Sequence, residues 1–302
     1  MPSPAASRDV RFLDPAVIAR LGSMELKART VVEGFLSGLH RSPYKGFSVE
    51  FAEYRQYIPG DDLSTIDWKV YARSDRHYVK KFEEETNLDC HVVLDASGSM
   101  AYGSGPITKF EYAQCLAASL GYLMNRQRDA VGLTAFDDRI TTMLPASARP
   151  GHLRAMLITL DRLQPGRETD VGRPLHQLAE SISKRGMVVL ISDLLDEPDR
   201  VVRGLKHFQF RGTDVIVFHV LDPDEIRFPF QRATRFEDLE TDEEVMAVPA
   251  VVRSHYLEAI GALVDRYKRD LGACGIDYCQ LTTDQPLEIG LLAYLSTRAR
   301  RM

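Results

Sequence analysis

The amino-acid sequence predicts an α/β protein with a doubly wound, mostly parallel sheet that carries helices on both faces. From about residue 89 onward, short apolar runs that fit buried strands alternate with stretches in which apolar residues recur at helical spacing. Two of these apolar runs end in an aspartate, at the strand ends where sheets of this class bind their ligands. The 302 residues, 44% of them hydrophobic, are enough for a sizeable core.

The predicted strands and helices follow one another in a regular order. The strands cover residues 89–95, 130–136, 140–144, 187–192, 214–220 and 276–281. The helices cover residues 14–37, 108–125, 150–163, 171–184, 198–207 and 250–272. The third strand is expected to return as an antiparallel edge strand. If the two strands that end in aspartate are neighbours where the strand order reverses, Asp95 and Asp193 meet there.

The chain is expected to have two parts. Residues 1–88 form an N-terminal extension with helical and strand segments, and residues 89–302 form the α/β domain. Within that domain, residues 222–248 are an acidic insertion with nine acidic residues against three arginines. Its aromatic residues favour a short hairpin on the surface over a disordered tail. The insertion is either a solvated connection or an element on which a partner docks.

Several functional classes are disfavoured by composition. The longest apolar stretches fall far short of the roughly 20 residues that cross a bilayer, and no apolar leader follows a basic start, so we expect a cytoplasmic protein without a membrane span. The four cysteines lack CxxC spacing and are predicted to be buried, reduced thiols.

Nucleotide and nucleic-acid ligands are also disfavoured. The chain has no G-x-x-x-x-G-K-[ST] loop, no G-x-G-x-x-G after a strand and no H-E-x-x-H pair. Its formal net charge of -5 argues against a nucleic-acid surface. The basic residues at 298–301 are expected to be a solvated helix end.

The most informative motif is the D-x-S-x-S sequence at the end of the first strand of the sheet. A carboxylate and two hydroxyls from Asp95, Ser97 and Ser99 alternate along a turn in which Gly98 relaxes the backbone. Mg²⁺ accepts such oxygen ligands and usually keeps positions for water or a further carboxylate. The alternative is that the serines only cap the helix that follows.

Two distant residues, Thr169 and Asp193, complete a set of five oxygen donors. With them the chain resembles the von Willebrand factor A-type domain, a Rossmann-type fold whose metal-ion-dependent adhesion site joins D-x-S-x-S, a distant threonine and a distant aspartate. The resemblance implies that Ser97, Ser99 and Thr169 bind Mg²⁺ or Mn²⁺ as inner ligands, and that Asp95 and Asp193 support them. It also implies that an acidic side chain of a protein partner fills the open metal position.

The segment before the sheet carries a second set of motifs. They are G-x-H-x-S-x-x-x-G at 38–46, E-x-R-x-Y at 53–57, G-D-D at 60–62, I-D-W at 66–68, A-R at 72–73 and F-x-E-E at 82–85. Together with the D-x-S-x-S strand they resemble the bacterial family known as domain of unknown function 58, over about residues 25–220. This resemblance implies an adaptor that works with a MoxR-type AAA+ ATPase. For the charged motifs themselves, capping of turns and charge pairing is the favoured explanation.

Two functions from different classes remain open. The first is a metal-dependent protein-protein interaction module whose partner is a MoxR-type AAA+ ATPase or that ATPase's client, with no catalytic residues. The second is a Mg²⁺-dependent hydrolase acting on phosphate esters, because a cation with open positions can polarise an oxygen or activate water. The hydrolase needs a base and a charge clamp, for which only Lys109 and Arg167 lie close in sequence.

Overall fold

The structure is a computed structural model that describes residues 14–41, 54–56, 78–80, 88–166, 170–182, 184–241 and 243–301. The helices are α1 (Pro15–Ala19), α2 (Met24–Arg41), α3 (Lys109–Arg126), α4 (His152–Arg162), α5 (Gly172–Ser181), α6 (Pro198–Phe210), α7 (Pro223–Arg227), α8 (Pro249–Ala273) and α9 (Glu288–Arg301). The strands are β1 (Tyr54–Gln56), β2 (Tyr78–Lys80), β3 (Asp89–Asp95), β4 (Ala130–Phe136), β5 (Ile140–Ser147), β6 (Gly186–Ser192), β7 (Asp214–Leu221), β8 (Thr234–Glu237), β9 (Glu244–Ala247) and β10 (Asp277–Thr282).

The main sheet has six strands in the order β10-β7-β6-β3-β4-β5. All neighbours pair in parallel except β4 and β5, which form the predicted antiparallel hairpin at one edge. The chain winds from β3 towards β5 and then returns to the other side of β3 to continue with β6. The predicted α/β class is therefore confirmed, and the two aspartate-ended strands are neighbours at the reversal.

Both faces of the sheet are buried, which explains why its strands read as continuous apolar runs. Along β6, Val189 and Ile191 belong to the core on one face, and Val188 and Leu190 belong to the core on the other. Helices α2, α3, α4 and α9 cover the first face, and α5, α6 and α8 cover the second. Every residue of β6 is buried, so this strand lies at the centre of the protein.

The N-terminal helix predicted over residues 14–37 is two helices, α1 and α2, separated by a turn at residues 20–23. The break follows from local chemistry, because Gly22 disfavours a helix interior and the Ser23 hydroxyl accepts the backbone N–H of Leu26 at 3.2 Å as a cap. The buried face of α2 shares the core of the sheet with α3.

Strands β1 and β2 pair antiparallel. The proposed boundary at residue 88 stays a prediction.

Helix α3 begins with a complete capping box. The Thr108 hydroxyl accepts the backbone N–H of Glu111 at 3.1 Å, and the Glu111 carboxylate accepts the backbone N–H of Thr108 at 2.8 Å. Thr108→Ala should lower the free energy of unfolding by about 1 kcal/mol, measured by urea denaturation. Thr159→Ala is the matched control, because the Thr159 hydroxyl bonds within a helix interior and its loss should be neutral or slightly stabilising. Equal losses for both variants would contradict the cap.

The C-terminal basic tail differs from its prediction as a solvated helix end. Arg298 has a side chain that is only 12% exposed, and it donates to both carboxylate oxygens of the fully buried Asp129. Arg300 is exposed and pairs with Asp277 at 2.6 Å. Arg298 therefore fastens α9 to the loop before β4, and only the end of the tail is solvated.

All four cysteines are free thiols, as predicted, but only two of the four are fully buried as expected. Cys90 and Cys115 are buried, and Cys274 and Cys279 are half-buried. Burial raises the pKa of Cys115 to about 11, which leaves this thiol protonated and unreactive.

Among the helices that the structure describes, none is both long and apolar enough to cross a bilayer. The cytoplasmic location stays a prediction.

Candidate metal centre at the strand ends

The two predicted aspartates lie side by side at the carboxyl edge of the sheet. Asp95 is the last residue of β3, and Asp193 directly follows β6. The Ser192 hydroxyl donates to Oδ2 of Asp95 at 2.5 Å, so the end of one strand is joined to the end of the other. The second oxygen of Asp95, Oδ1, accepts the backbone N–H of Ser97 at 2.9 Å. Asp95, Ser97 and Asp193 are completely buried.

The two serines of D-x-S-x-S turn towards the same carboxylates. The hydroxyls of Ser97 and Ser99 lie 3.1 Å apart, and the Ser99 hydroxyl is close enough to Asp193 to help lower the pKa of that carboxyl group. A short 3₁₀ helix, Gly98–Ala101, begins at this point, but the Ser97 side chain makes no capping hydrogen bond to it. The capping alternative is therefore wrong for Ser97. Four of the five predicted oxygen donors come together.

The fifth predicted donor, Thr169, lies outside the described residues. The chain approaches the site just before it, because the backbone N–H of Gly166 donates to the carbonyl of Ala96 at 2.6 Å. It returns at Asp170, whose backbone N–H donates to the carbonyl of Asp137 at 3.4 Å. Both ends of the short segment that contains Thr169 are thus hydrogen-bonded to the loops that follow β3 and β4.

A buried lysine stands at the centre of the site. The Lys109 ammonium donates to Oδ2 of Asp193 and to Oε1 of Glu225, each at 2.7 Å. Lys109 is completely buried, and among the described residues it is the only lysine or arginine that is. The hydrolase hypothesis would use Lys109 to approach a bound anion, but its ammonium is paired with two carboxylates. The other expected clamp, Arg167, lies outside the described residues.

The surroundings of the two aspartates shift their pKa values in opposite directions. Burial and the neighbouring Asp193 charge raise the pKa of Asp95. Burial works in the same direction on Asp193, but the charge and hydrogen bond of Lys109 outweigh it and lower the pKa of Asp193. Asp193 is therefore held as a carboxylate, whereas Asp95, which lacks a compensating cation, favours its protonated form.

The acidic insertion folds back onto the D-x-S-x-S loop. The Asp222 carboxylate accepts hydrogen bonds from the backbone N–H and the hydroxyl of Ser104, at 2.9 and 2.5 Å. The Glu225 carboxylate accepts the hydrogen bond from the Lys109 ammonium that is described above. Further along, Oε1 of Glu240 accepts the backbone N–H of Ser99 at 3.3 Å. The insertion contains the surface hairpin that its aromatic residues predicted, β8–β9. Two of its acids, Glu225 and Glu240, contact the site, and Asp222 fixes the chain that follows the D-x-S-x-S loop, so these three are not part of a solvated connection.

A buried histidine supports the end of β6. His219 on β7 bonds through Nε2 to the carbonyl of Asp193 and through Nδ1 to the Tyr278 hydroxyl, each at 2.7 Å. Burial lowers the pKa of His219 to about 4, so the ring is neutral at physiological pH. Both ring nitrogens are occupied, which makes His219 a positioning residue. A His in an otherwise apolar strand was the sequence signal that we did not use.

The donor chemistry fits a hard divalent cation. The described residues contain no group of three or more His, Cys, Asp or Glu placed to hold a metal, so the candidate ligands are a mixture of carboxylates and hydroxyls. Asp95, Asp193 and Glu225 bring three buried or largely buried carboxylates against the single ammonium of Lys109. Ionisation of all three groups at once is costly, and a divalent cation would offset that cost.

The family of the chain is shown by comparison with known proteins. The family described as protein of unknown function DUF58 matches residues 53–262, and the chain belongs to it. An uncharacterized protein of Mycobacterium tuberculosis, Rv1480, is 27% identical over 291 residues, which cover 95% of this chain and 91% of that protein. The N-terminal motifs that carried the predicted resemblance lie largely outside the described residues.

Comparison with a solved structure supports the fold class. An aerotolerance-related membrane protein from Bacteroides fragilis superimposes with a TM-score of 0.51 at 18% identity, covering 71% of this chain and all of that one. BatB from Bacteroides thetaiotaomicron gives a TM-score of 0.49 at 15% identity, with the same coverage. The six-stranded, mostly parallel sheet with helices on both faces is consistent with the predicted von Willebrand factor A-like fold class. At these identities the comparison concerns the fold alone.

Proposed function

We propose that this protein is a metal-dependent protein-protein interaction module that acts as an adaptor of a MoxR-type AAA+ ATPase, or binds that ATPase's client, during maturation of a protein complex. The observation that carries the proposal is the convergence of Asp95, Ser97, Ser99 and Asp193 at the carboxyl ends of two adjacent parallel strands. Family membership supports the adaptor role through the resemblance described above.

The proposed cation is Mg²⁺ or Mn²⁺. Ser97, Ser99 and Thr169 would hold it, and Asp95 and Asp193 would balance its charge. The cation would supply an electrophilic position to which a carboxylate of the partner binds. The chain's own contribution is to keep the hydroxyls adjacent and to hold Asp193 ionised through Lys109.

The hydrolase alternative receives no support from the described part of the site. Lys109 is paired with two carboxylates, and both nitrogens of His219 accept or donate within the protein. A clamp for a phosphate ester and a general base would have to come from elsewhere. The interaction module needs neither group.

Cation binding by purified protein tests the proposal. Ser99→Ala should weaken Mg²⁺ or Mn²⁺ binding about tenfold or more by isothermal titration calorimetry, because it removes one oxygen ligand. Ser296→Ala is the matched control, since the Ser296 hydroxyl only bonds to the carbonyl of Leu292 within α9. Equal affinity in Ser99→Ala and Ser296→Ala would refute the metal centre.

Capture of the purified MoxR-type ATPase from the same organism tests the partner. Wild type should bind it in Mg²⁺ and lose it in EDTA, and Ser99→Ala should bind weakly in both. Capture that is equal in EDTA would refute metal-dependent recognition. Hydrolysis of p-nitrophenyl phosphate that is lost in Ser99→Ala would instead favour the hydrolase.

A further inference from the structure

The β8–β9 hairpin is fixed at its base by a cluster of aromatic rings. Phe236 on β8 stacks on Phe228 with ring centroids 5.7 Å apart and meets Phe230 edge-on at 5.2 Å. Phe228 in turn packs against Tyr256 of α8, with centroids 4.6 Å apart. Such aromatic contacts define the direction in which the hairpin leaves the body of the protein. The hairpin is therefore held by α8 while its turn extends to the D-x-S-x-S loop.

The turn itself is ordered by one carboxylate. Asp238 accepts the backbone N–H groups of Glu240 and Thr241 at 2.8 and 3.2 Å, and its own N–H donates to the carbonyl of Glu243 at 2.8 Å. This arrangement places the half-buried Glu240 with Oε1 at 3.3 Å from the backbone nitrogen of Ser99. An acidic side chain thus lies beside a loop whose two hydroxyls are candidate metal ligands.

We propose that Glu240 is an internal ligand of the metal centre, which a partner's acidic side chain must displace. The proposal rests on the proposed function, because it assigns to Glu240 the open position that recognition of a partner requires. Ser97 and Ser99 would hold a divalent cation, and the Glu240 carboxylate would supply a further oxygen ligand that occupies the open position. Release of the hairpin turn then exposes the cation to a foreign carboxylate.

The tether of Glu240 favours this arrangement. Because Glu240 is tethered by an ordered turn, it competes at high effective concentration with any free carboxylate. A partner that presents an acid alone would then bind poorly, and one that also draws the hairpin away would bind well. Competition from Glu240 would therefore favour partners that contact both the cation and the hairpin.

Mn²⁺ titration of the full chain tests the internal ligand. Glu240→Gln should weaken Mn²⁺ binding roughly tenfold, because an amide replaces a charged oxygen ligand. The matched control is Glu243→Gln, which removes the same charge from an exposed position in the same turn and should stay within about twofold of wild type. Ser99→Ala reports whether the Mn²⁺ occupies the D-x-S-x-S loop at all.

Hydrogen exchange supplies a readout that does not depend on affinity. Mn²⁺ should slow amide exchange across residues 234–247 in wild type and Glu243→Gln, and it should leave this segment unchanged in Glu240→Gln. Acetate serves as the foreign carboxylate. Its proton relaxation by bound Mn²⁺ should appear at roughly tenfold lower acetate concentration in Glu240→Gln than in wild type.

The outcomes separate this proposal from the proposed function. If wild type binds Mn²⁺ and Ser99→Ala does not, but Glu240→Gln matches Glu243→Gln in affinity, exchange and acetate binding, the internal ligand is refuted and the metal centre stands. If wild type binds no Mn²⁺, both are refuted. A difference between the two glutamate variants in all three measurements establishes Glu240 as the ligand.

Discussion

Replacing Lys109 with methionine should lower the free energy of unfolding by about 3–5 kcal/mol, the largest loss of stability that we expect from a single change at this site. Methionine fills a similar volume, so the loss is electrostatic and not a packing defect. Without the ammonium, Asp193 and Glu225 become neighbouring carboxylates, of which Asp193 is completely buried, with no cation between them.

Urea denaturation in EDTA, followed by far-ultraviolet circular dichroism, measures this loss. Lys184→Met is the matched control, because the Lys184 side chain is 79% exposed and lies 3.8 Å from Asp89 in a surface ion pair. The control should change stability by less than about 0.5 kcal/mol. Equal losses in Lys109→Met and Lys184→Met would show that the buried ion pairs do not stabilise the fold.

A double variant tests whether repulsion between the carboxylates is the cause. Adding Glu225→Gln to Lys109→Met removes one of the two uncompensated charges and should recover at least about 1 kcal/mol. The same Glu225→Gln change in the wild-type background should be destabilising, since it leaves Lys109 with one carboxylate fewer. Losses that simply add would contradict the coupling.

The sheet was predictable because each of its strands leaves a recognisable local pattern in the sequence. Strands buried on both faces read as apolar runs, and two of them end in aspartate, so the order of the chain and the reversal at β3 and β6 followed from the pattern. The break between α1 and α2 was missed, although Gly22 and Ser23 are a stop and a start signal for helices. Helical periodicity on both sides of the break obscured them.

The site was only half predictable. The motif located Asp95, Ser97, Ser99 and Asp193, because strand ends fix where those side chains lie. Lys109 falls on the apolar stripe of α3, and a lysine in such a stripe is a signal for a buried cation. The carboxylates that meet the site from the acidic insertion could not be assigned, since nothing in an acid-rich segment distinguishes the acids that pack from those that are solvated.

Asp95→Asn should weaken Mg²⁺ binding and yet make the metal-free protein more stable, by up to about 4 kcal/mol at pH 8. Asparagine keeps the shape of the side chain and can still accept the Ser97 N–H and bond to the Ser192 hydroxyl. It removes a buried charge that has Asp193 as its neighbour and no cation of its own. The cation would lose a carboxylate that balances its charge, so Mg²⁺ affinity should fall at least about tenfold.

The pH dependence fixes the sign of the stability change. Burial raises the pKa of Asp95 from 3.8 to about 7, so the folded state binds a proton that the unfolded state releases. Below 3.8 this carboxyl is neutral in both states, and the stability that its protonation contributes is lost as the pH rises through about 7. The advantage of Asp95→Asn over wild type in EDTA should therefore grow between those two values and level off above them.

Asp193→Asn is the matched comparison, because the neighbouring charge has the opposite environment. Lys109 holds Asp193 ionised, so replacing the Asp193 carboxylate breaks a buried ion pair. The substitution should destabilise the metal-free protein by about 3 kcal/mol and should also weaken Mg²⁺ binding. Urea denaturation in EDTA at several pH values and calorimetric Mg²⁺ titration measure both variants. The two substitutions would then change the stability of the metal-free protein in opposite directions, and both would weaken Mg²⁺ binding. An Asp95→Asn protein that is less stable than wild type at pH 8, or that binds Mg²⁺ equally well, would contradict this assignment of charges.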